Sequence, residues 1–443
     1  MATKPSEQHG VTNFQSWYAV IVFLLLVIFG WIDRQLLALL VEPIKADLGL
    51  QDWQIGLLHG AAFAVFFALA GLPIGFLADK YSRRKILLAG SVAWSAMTSV
   101  CGLATSFWGL FLARTGVAVG EATLRPCADS MIADYFPRSR AGPAYAVYMS
   151  GIVLGIGLAF IAGALTIDVL AGAGPLHFWL IGKVALWQAT FIVVGLAGLP
   201  VALLVRTIRE PARTGDSAQA VSVGATRDYL KGNWPIYVAY FFSFALIATA
   251  GQANHAWGPT FLIRRFGSDV VQAGLAWGGL VVIFATLGVY CGGYAARQLG
   301  KVGHRLAFWD VALFSQILAI PVGALAFRVA DAELAYVLIA LCFFVQSFAA
   351  PMQPAILMSV TPARFRGQMI SLTTVAAVIF ALTIGPTLVG LLNDYLFPAR
   401  EDIGMSLMLV NILFPSLAVL VLWRTRRLYD RALPEPQDET DPA

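Results

Sequence analysis

Residues Trp17–Phe29 read WYAVIVFLLLVIF, thirteen apolar residues in succession. The next eight, Gly30–Leu37, read GWIDRQLL, so Asp33 and Arg34 stand side by side inside a greasy run that continues to Val41. A helix needs about 20 apolar residues to cross the hydrocarbon core of a bilayer, and this run is long enough. Runs like it recur along all 443 residues, of which 59% are hydrophobic and only 12% charged. That charged share is about half of what a soluble domain carries. The runs are continuous rather than alternating, which excludes a transmembrane β-barrel. The chain therefore reads as an all-α integral membrane protein. The opening MATKPSEQHGVTNFQS is polar and no small-residue cleavage site follows the first run, so that run is expected to stay as a helix.

Twelve spans are expected, near 17–41, 52–78, 85–105, 107–135, 141–171, 182–206, 233–263, 270–298, 303–327, 333–360, 366–396 and 404–424. The polar, basic stretch between the sixth and seventh divides the chain into residues 1–206, a linker 207–232, residues 233–425 and a tail 426–443. Of the 30 basic residues, 21 fall on the side that holds both termini, and six (Lys45, Lys183, Arg264, Arg265, Arg328 and Arg400) on the other. The positive-inside rule then puts both termini in the cytoplasm. The net charge of +5 is a topology signal, not a nucleic-acid footprint. Cys101, Cys127, Cys291 and Cys342 lie in apolar segments without metal-ligand spacing and read as small packing residues.

The two halves repeat. DLGLQDWQIGLLHG (Asp47–Gly60) parallels RFGSDVVQAGLAWG (Arg265–Gly278) at a shift of 218, and LRPCA (Leu124–Ala128) parallels MQPAI (Met352–Ile356). Parallel six-helix repeats around a cavity are a plan of secondary transporters. The repeat breaks at charge: Asp33 and Arg34 align with Gly251 and Gln252, Arg114 with Cys342, Glu121 with Ala349, and Arg125 with Gln353. The second half does without these charges, so packing does not require them.

GFLADKYSRRK (Gly75–Lys85) resembles the loop after the second helix in the major facilitator superfamily, Gly-x-x-x-Asp-Arg/Lys-x-Gly-Arg-Arg/Lys, with Ser82 in place of the second glycine. WIDRQLLALL in the first span and FWGLFLARTGVAVGEATLRP in the fourth resemble the spinster family of lysolipid and sphingolipid transporters, through Arg114, Gly116, Gly120, Glu121 and Ala122. The resemblance implies two pseudo-symmetric six-helix bundles, the major facilitator fold, and a transporter rather than an enzyme. It also implies that Gly75 lets the second span approach a neighbour and that Asp79 pairs with Arg83 in a cytoplasmic gate. Lys80 and Arg84, with Lys85, join that gate or serve orientation alone, and Asp134 and Arg138 extend its charge network.

Arg114, Glu121 and Arg125 are spaced seven and four apart, which places them near one line of a continuous helix. Arg114 to Glu121 is about 10 Å along the axis. Gly116 and Gly120 form a separate small-residue face for close packing. Rise per residue brings Asp33, Arg34 and Arg114 to one depth, with Glu121 below. Intramembrane charges cost about 2.5–3.5 kcal/mol each and face a wet cavity or one another. A static ion pair between the first and fourth spans is the plainer alternative to a transport role. On the transport reading Asp33 and Glu121 carry protons, since a carboxylate that exchanges an arginine partner for apolar surroundings changes its proton affinity. Arg34, Arg114 and Arg125 hold an anionic headgroup. Gln252 and His255 add polar contacts from a seventh span that Pro259 loosens; His255 reads first as a hydrogen-bonded core residue and second as a titrating one.

The expected function is proton-coupled transport of an amphipathic lipid by alternating access, with small organic anions of the same superfamily as the rival cargo. No phosphate-binding loop G-x-x-x-x-G-K-[ST] appears, so ATP is not the expected drive. The proton gradient serves in place of a cofactor, and no metal or nucleic acid is called for. The expected setting is a monomer in a bacterial inner membrane.

Overall fold

The computed structural model describes residues 12–137, 140–174, 177–178, 182–213 and 223–433. It is nearly all helical. The first half holds α1 (Asn13–Leu39), α2 (Val41–Leu48), α3 (Asp52–His59), α4 (Ala61–Lys80), α5 (Arg83–Cys101), α6 (Phe107–Glu121), α7 (Leu124–Tyr135), α8 (Ala141–Gly172) and α9 (Leu186–Leu203). The second half holds α10 (Val223–Phe266), α11 (Val270–Leu280), α12 (Thr286–Lys301), α13 (Ala307–Ala326), α14 (Ala332–Gln346), α15 (Met352–Val360), α16 (Arg366–Leu391) and α17 (Ile403–Ala432). Among the described residues ten helical stretches are long and apolar enough to cross a membrane. The third and fourth spans, α5 and α6–α7, are helical but more polar, as the charges of the fourth require. The sixth span begins at Leu186 rather than 182, because Gly182–Lys183 pair antiparallel with His177–Phe178.

The helices break at equivalent places, each beside a proline. α6 ends at Glu121, and the chain restarts at Leu124 with Pro126 third in α7; α14 gives way to a 3-10 turn at Ser347–Ala349, and the chain restarts at Met352 with Pro354 third in α15. Each proline stands in the first turn of its restarted helix, where its missing N–H removes no intrahelical bond. Thr123 Oγ1 takes up the Gly120 carbonyl at 2.8 Å across the first break.

The chain forms two compact units. One comprises Met1–Ala218, Gln252–Ile283 and Leu382–Leu407; the other comprises Gln219–Gly251, Phe284–Ala381 and Met408–Ala443.

In the first unit, glycines set the helix spacings. Gly151 and Gly155 of α8 seat Leu24, Val27, Ile28 and Trp31 of α1. Gly116 and Gly120 of α6 lie against Met97 and Trp94 of α5, where a Cβ on Gly120 would sit 2.7 Å from the Trp94 backbone nitrogen. The repeated motif has a repeated job. A Cβ on Gly56 would meet the Pro386 carbonyl at 2.6 Å and one on Gly60 the Leu382 carbonyl at 2.4 Å; at a shift of 218, a Cβ on Gly278 would meet the Gly157 carbonyl at 2.6 Å. The repeated glycine spacing thus serves close helix contact, α3 on α16 and α11 on α8.

In the second unit, Trp309 stacks on Tyr429 at 4.6 Å and donates to the Leu422 carbonyl at 2.8 Å. Asp310 accepts Arg426 Nε at 2.8 Å and Nη2 at 2.7 Å, with His304 Nε2 2.7 Å away. Gly288 and Gly292 of α12 abut the backbone of Phe344 and Phe348.

α10 is unbroken through Pro259, contrary to the expected loosening. Packing on both sides of the proline holds it: Trp257 Nε1 donates to the Pro386 carbonyl at 2.9 Å, and Gly258 leaves room for the Trp277 ring.

Candidate functional site

Asp33 and Arg34 lie on α1, and Arg114 and Glu121 on α6, all in the first unit. Arg34 gives Nε (2.8 Å) and Nη2 (2.5 Å) to one oxygen of Glu121, Oε2. The Glu121 side chain is 3% exposed, and its Oε1 makes no hydrogen bond. The Arg34 guanidinium also lies over three rings, Phe63 at 4.3 Å, Trp31 at 5.0 Å and Phe67 at 5.4 Å. Arg114, fully buried, donates Nη1 to the backbone carbonyl of Asp33 at 3.0 Å. The Asp33 carboxylate is fully buried, neither of its oxygens makes a hydrogen bond, and it lies within electrostatic reach of Glu121, Arg114 and Arg34.

This differs from the expected meeting of Asp33, Arg34 and Arg114 above Glu121. Side chains on a helix lean toward its N-terminus. Arg34 therefore reaches down one turn to Gly30, where the missing side chain leaves room: a Cβ there would lie 3.4 Å from Glu121 Oε2. Arg125 pairs at 3.8 Å with Asp129, both side chains substantially exposed. His255 is half-buried, its ring 6.4 Å from that of Phe160. Gln252 is half-buried one turn earlier, and no hydrogen bond joins it to the four charged residues. Sequence reasoning missed His59, buried at the end of α3 within electrostatic reach of both Arg114 and His255. A histidine beside a helix-breaking glycine in the repeated motif was the available signal.

The Gly75–Lys85 loop is built differently from the expected gate. A Cβ on Gly75 meets nothing within 4 Å. Asp79 and Lys80 are exposed. Arg83 is buried and pairs with Asp134 and Glu210 instead of Asp79, its Nη1 also reaching Ser130 Oγ at 2.9 Å. Asp79 is exposed in the last turn of α4, while Arg83, which starts α5, is buried. Arg138 lies outside the described residues.

Residues Ile208–Arg213 strap this loop. Glu210 accepts the Arg83 N–H at 2.8 Å and the Ser82 hydroxyl. Arg83 Nη2 donates to the Pro211 carbonyl at 2.9 Å, Arg84 to that of Ile208 at 3.2 Å, and Arg213 to those of Ala78 and Tyr81, both at 2.8 Å. Burial alone raises the Glu210 pKa, but the bonds from Ser82 and the Arg83 N–H, with the Arg83 charge, outweigh it and hold the carboxyl below its ordinary 4.5. A depressed carboxyl stabilises the fold above its unfolded value and loses that contribution as pH falls through the folded value. Glu210→Gln is therefore expected to lower the melting temperature of the detergent-solubilised protein by a few degrees at pH 7. The gap should shrink below about pH 4.5, as the parent loses the same charge. A gap that stays constant with pH would contradict the strap.

The Major Facilitator Superfamily profile matches residues 23–380. The chain belongs to this superfamily. It is 27% identical over 440 residues to an MFS-type efflux pump of Mycolicibacterium smegmatis, covering 98% of this chain and 97% of that one. It is 26% identical over 319 residues to protein spinster homolog 1 of Xenopus tropicalis, covering 67% of this chain and 57% of the spinster protein. A probable galactarate/D-glucarate transporter of Bacillus subtilis is 23% identical, over 66% of this chain and 67% of that one. In three dimensions the chain is similar to a bacterial homologue of the human lysosomal transporter spinster, in an inward-facing and unoccupied conformation, with a TM-score of 0.84 and 23% identity over 96% of this chain and 100% of that one. As a major facilitator the chain is a multi-pass membrane transporter and not an enzyme.

The four residues bring two guanidinium groups and two carboxyl groups together on α1 and α6. Among the described residues no three His, Cys, Asp or Glu side chains converge as a metal centre.

Proposed function

We propose that the protein is a proton-coupled secondary active transporter that moves an amphipathic lipid with an anionic headgroup, of lysophospholipid or sphingosine-phosphate type, by alternating access. The observation that carries this reading is the buried Arg34–Glu121 pair with Arg114 and Asp33 beside it. A buried pair gives little net stability when formed and is costly to break, so its retention in a first half whose repeat partner lacks it favours use over packing. Glu121 and Asp33 are the proton carriers, and Arg34 and Arg114 receive the headgroup. Gln252 and His255 are polar lining, and Arg125, with its exposed pair, is a peripheral contributor. Arg83, Asp134 and the strap replace Asp79–Arg83 as the proposed gate on the terminus side, which the basic residues place in the cytoplasm. We place the protein, as a monomer, in a bacterial inner membrane.

The sugar-acid relative favours a second reading, a small organic anion on the same arginines. Competition separates the two. Binding of a fluorescent lysophospholipid to purified protein is expected to be displaced by unlabelled lysophospholipid and not by millimolar galactarate. Displacement by galactarate alone would transfer the site to the second reading.

A further inference from the structure

A second buried charge cluster lies where the first half meets residues 252–283 and 382–407, all within the first unit. Asp52, at the start of α3, is its hub. Its two oxygens accept Arg264 Nη1 at 2.6 Å and Nη2 at 2.8 Å, Asn393 Nδ2 at 2.8 Å, and Lys45 Nζ. Arg264 spends its remaining arm on Glu42, Nε to Oε1 at 2.7 Å, and Glu42 takes Arg400 at 2.6 Å. Asp394 caps α3 from outside, accepting the Asp52 N–H at 3.2 Å and the Trp53 N–H at 2.7 Å. Those amides have no partner inside the helix. A π turn at Leu392–Leu396 presents Asn393 and Asp394 together. The side chains of Asp52 and Arg264 are 3% and 5% exposed.

We propose that Asp52 and Arg264 are positioning residues of the transport cycle, forming a lock that holds this end of the protein shut. The charges of Glu42, Asp52 and Asp394 balance those of Lys45, Arg264 and Arg400. The partners divide by half: Glu42, Lys45 and Asp52 precede the linker, and Arg264, Asn393, Asp394 and Arg400 follow it. Separating the two groups breaks the bonds of Arg264 and Asn393 to Asp52, of Arg264 and Arg400 to Glu42 and of Asp394 to the α3 amides together, and leaves only Lys45 on Asp52. Breaking one partner of a buried pair strands the other in a poorly solvated place, so the cluster favours two states, fully made or fully parted. α3 ties the lock to the transport site: Asp52 and His59 are two turns, about 10 Å, apart on one face. The proposal rests on alternating access and not on the cargo or the proton.

The test uses the full-length protein in proteoliposomes, with its four native cysteines replaced and Thr387→Cys introduced. The Thr387 hydroxyl donates to the Gly56 carbonyl at 3.3 Å, one turn beneath Asp52. A membrane-impermeant maleimide is added from the side of the lock. Asp52→Asn and Arg264→Gln are expected to label about tenfold faster than the parent, the response to a shift in the open population. Asp52→Glu, which keeps the charge, is expected to stay near the parent rate. Arg400→Gln touches only the outer pair, sits on an exposed side chain that folding tolerates, and is expected to label about threefold faster. Parent-rate labelling in folded Arg264→Gln and Arg400→Gln would overturn the lock, whatever Asp52→Asn does. Labelling needs neither cargo nor a pH gradient, so its failure is separate from a failure of the lipid reading.

Discussion

Glu121→Gln is expected to abolish accumulation driven by a pH gradient while leaving substrate counterflow in place. Gln keeps the volume and the oxygen that faces Arg34, so the first and fourth spans stay in register. It cannot gain or lose a proton. Arg34 keeps its three aromatic faces, Phe63, Trp31 and Phe67, which soften the loss of its counter-ion. The accumulation ratio should fall to about one, because an uncoupled carrier only equilibrates its substrate. Counterflow, which needs no net proton movement, should persist within a few-fold. Undiminished accumulation in Glu121→Gln would remove Glu121 from the coupling role and move attention to Asp33.

Arg114→Gln is expected to raise the apparent KM for a lipid with an anionic headgroup by about 30-fold or more, with a smaller change in kcat. Arg114 is fully buried, and its one hydrogen bond goes to a backbone carbonyl. Its Nε makes none. It therefore holds charge and donors that no carboxylate in the bundle consumes. Truncating one partner of a buried, hydrogen-bonded charge pair costs about 2–5 kcal/mol, and the lower end already gives that factor. Arg114→Lys keeps the charge but not the planar fork, and should recover only part of the affinity. An uncharged-headgroup analogue should bind both variants as it binds the parent. Equal weakening for charged and uncharged analogues would mean that Arg114 only props α1.

Much of the fold was legible because a bilayer allows few ways to satisfy a backbone. The apolar runs locate the spans, and four of the five positions where the repeat loses charge, Asp33, Arg34, Arg114 and Glu121, are gathered by the structure, while Arg125 pairs with Asp129. What escaped was direction. Rise per residue places Cα atoms, but Arg34 meets Glu121 through a lean of the side chain and a gap at Gly30. Pro126 and Pro354 were visible as matching residues, yet the helix interruptions beside them show only in the restarts at Leu124 and Met352. The lock and the strap depend on partners far apart in sequence. Lys45, Arg264 and Arg400 entered only as minority basic residues in the topology argument, and nothing local to Glu210 points to Arg83, 127 residues earlier.

Coupling is the central claim, and uptake in proteoliposomes tests it most directly. Purified protein is reconstituted, labelled lysophospholipid is supplied, and a pH gradient of about one unit is imposed or withheld, a drive of about 1.4 kcal/mol per proton. The account predicts accumulation beyond equilibrium only with the gradient, about tenfold for one proton per substrate, and its collapse on adding a protonophore. The same rate and the same endpoint with and without the gradient would contradict it.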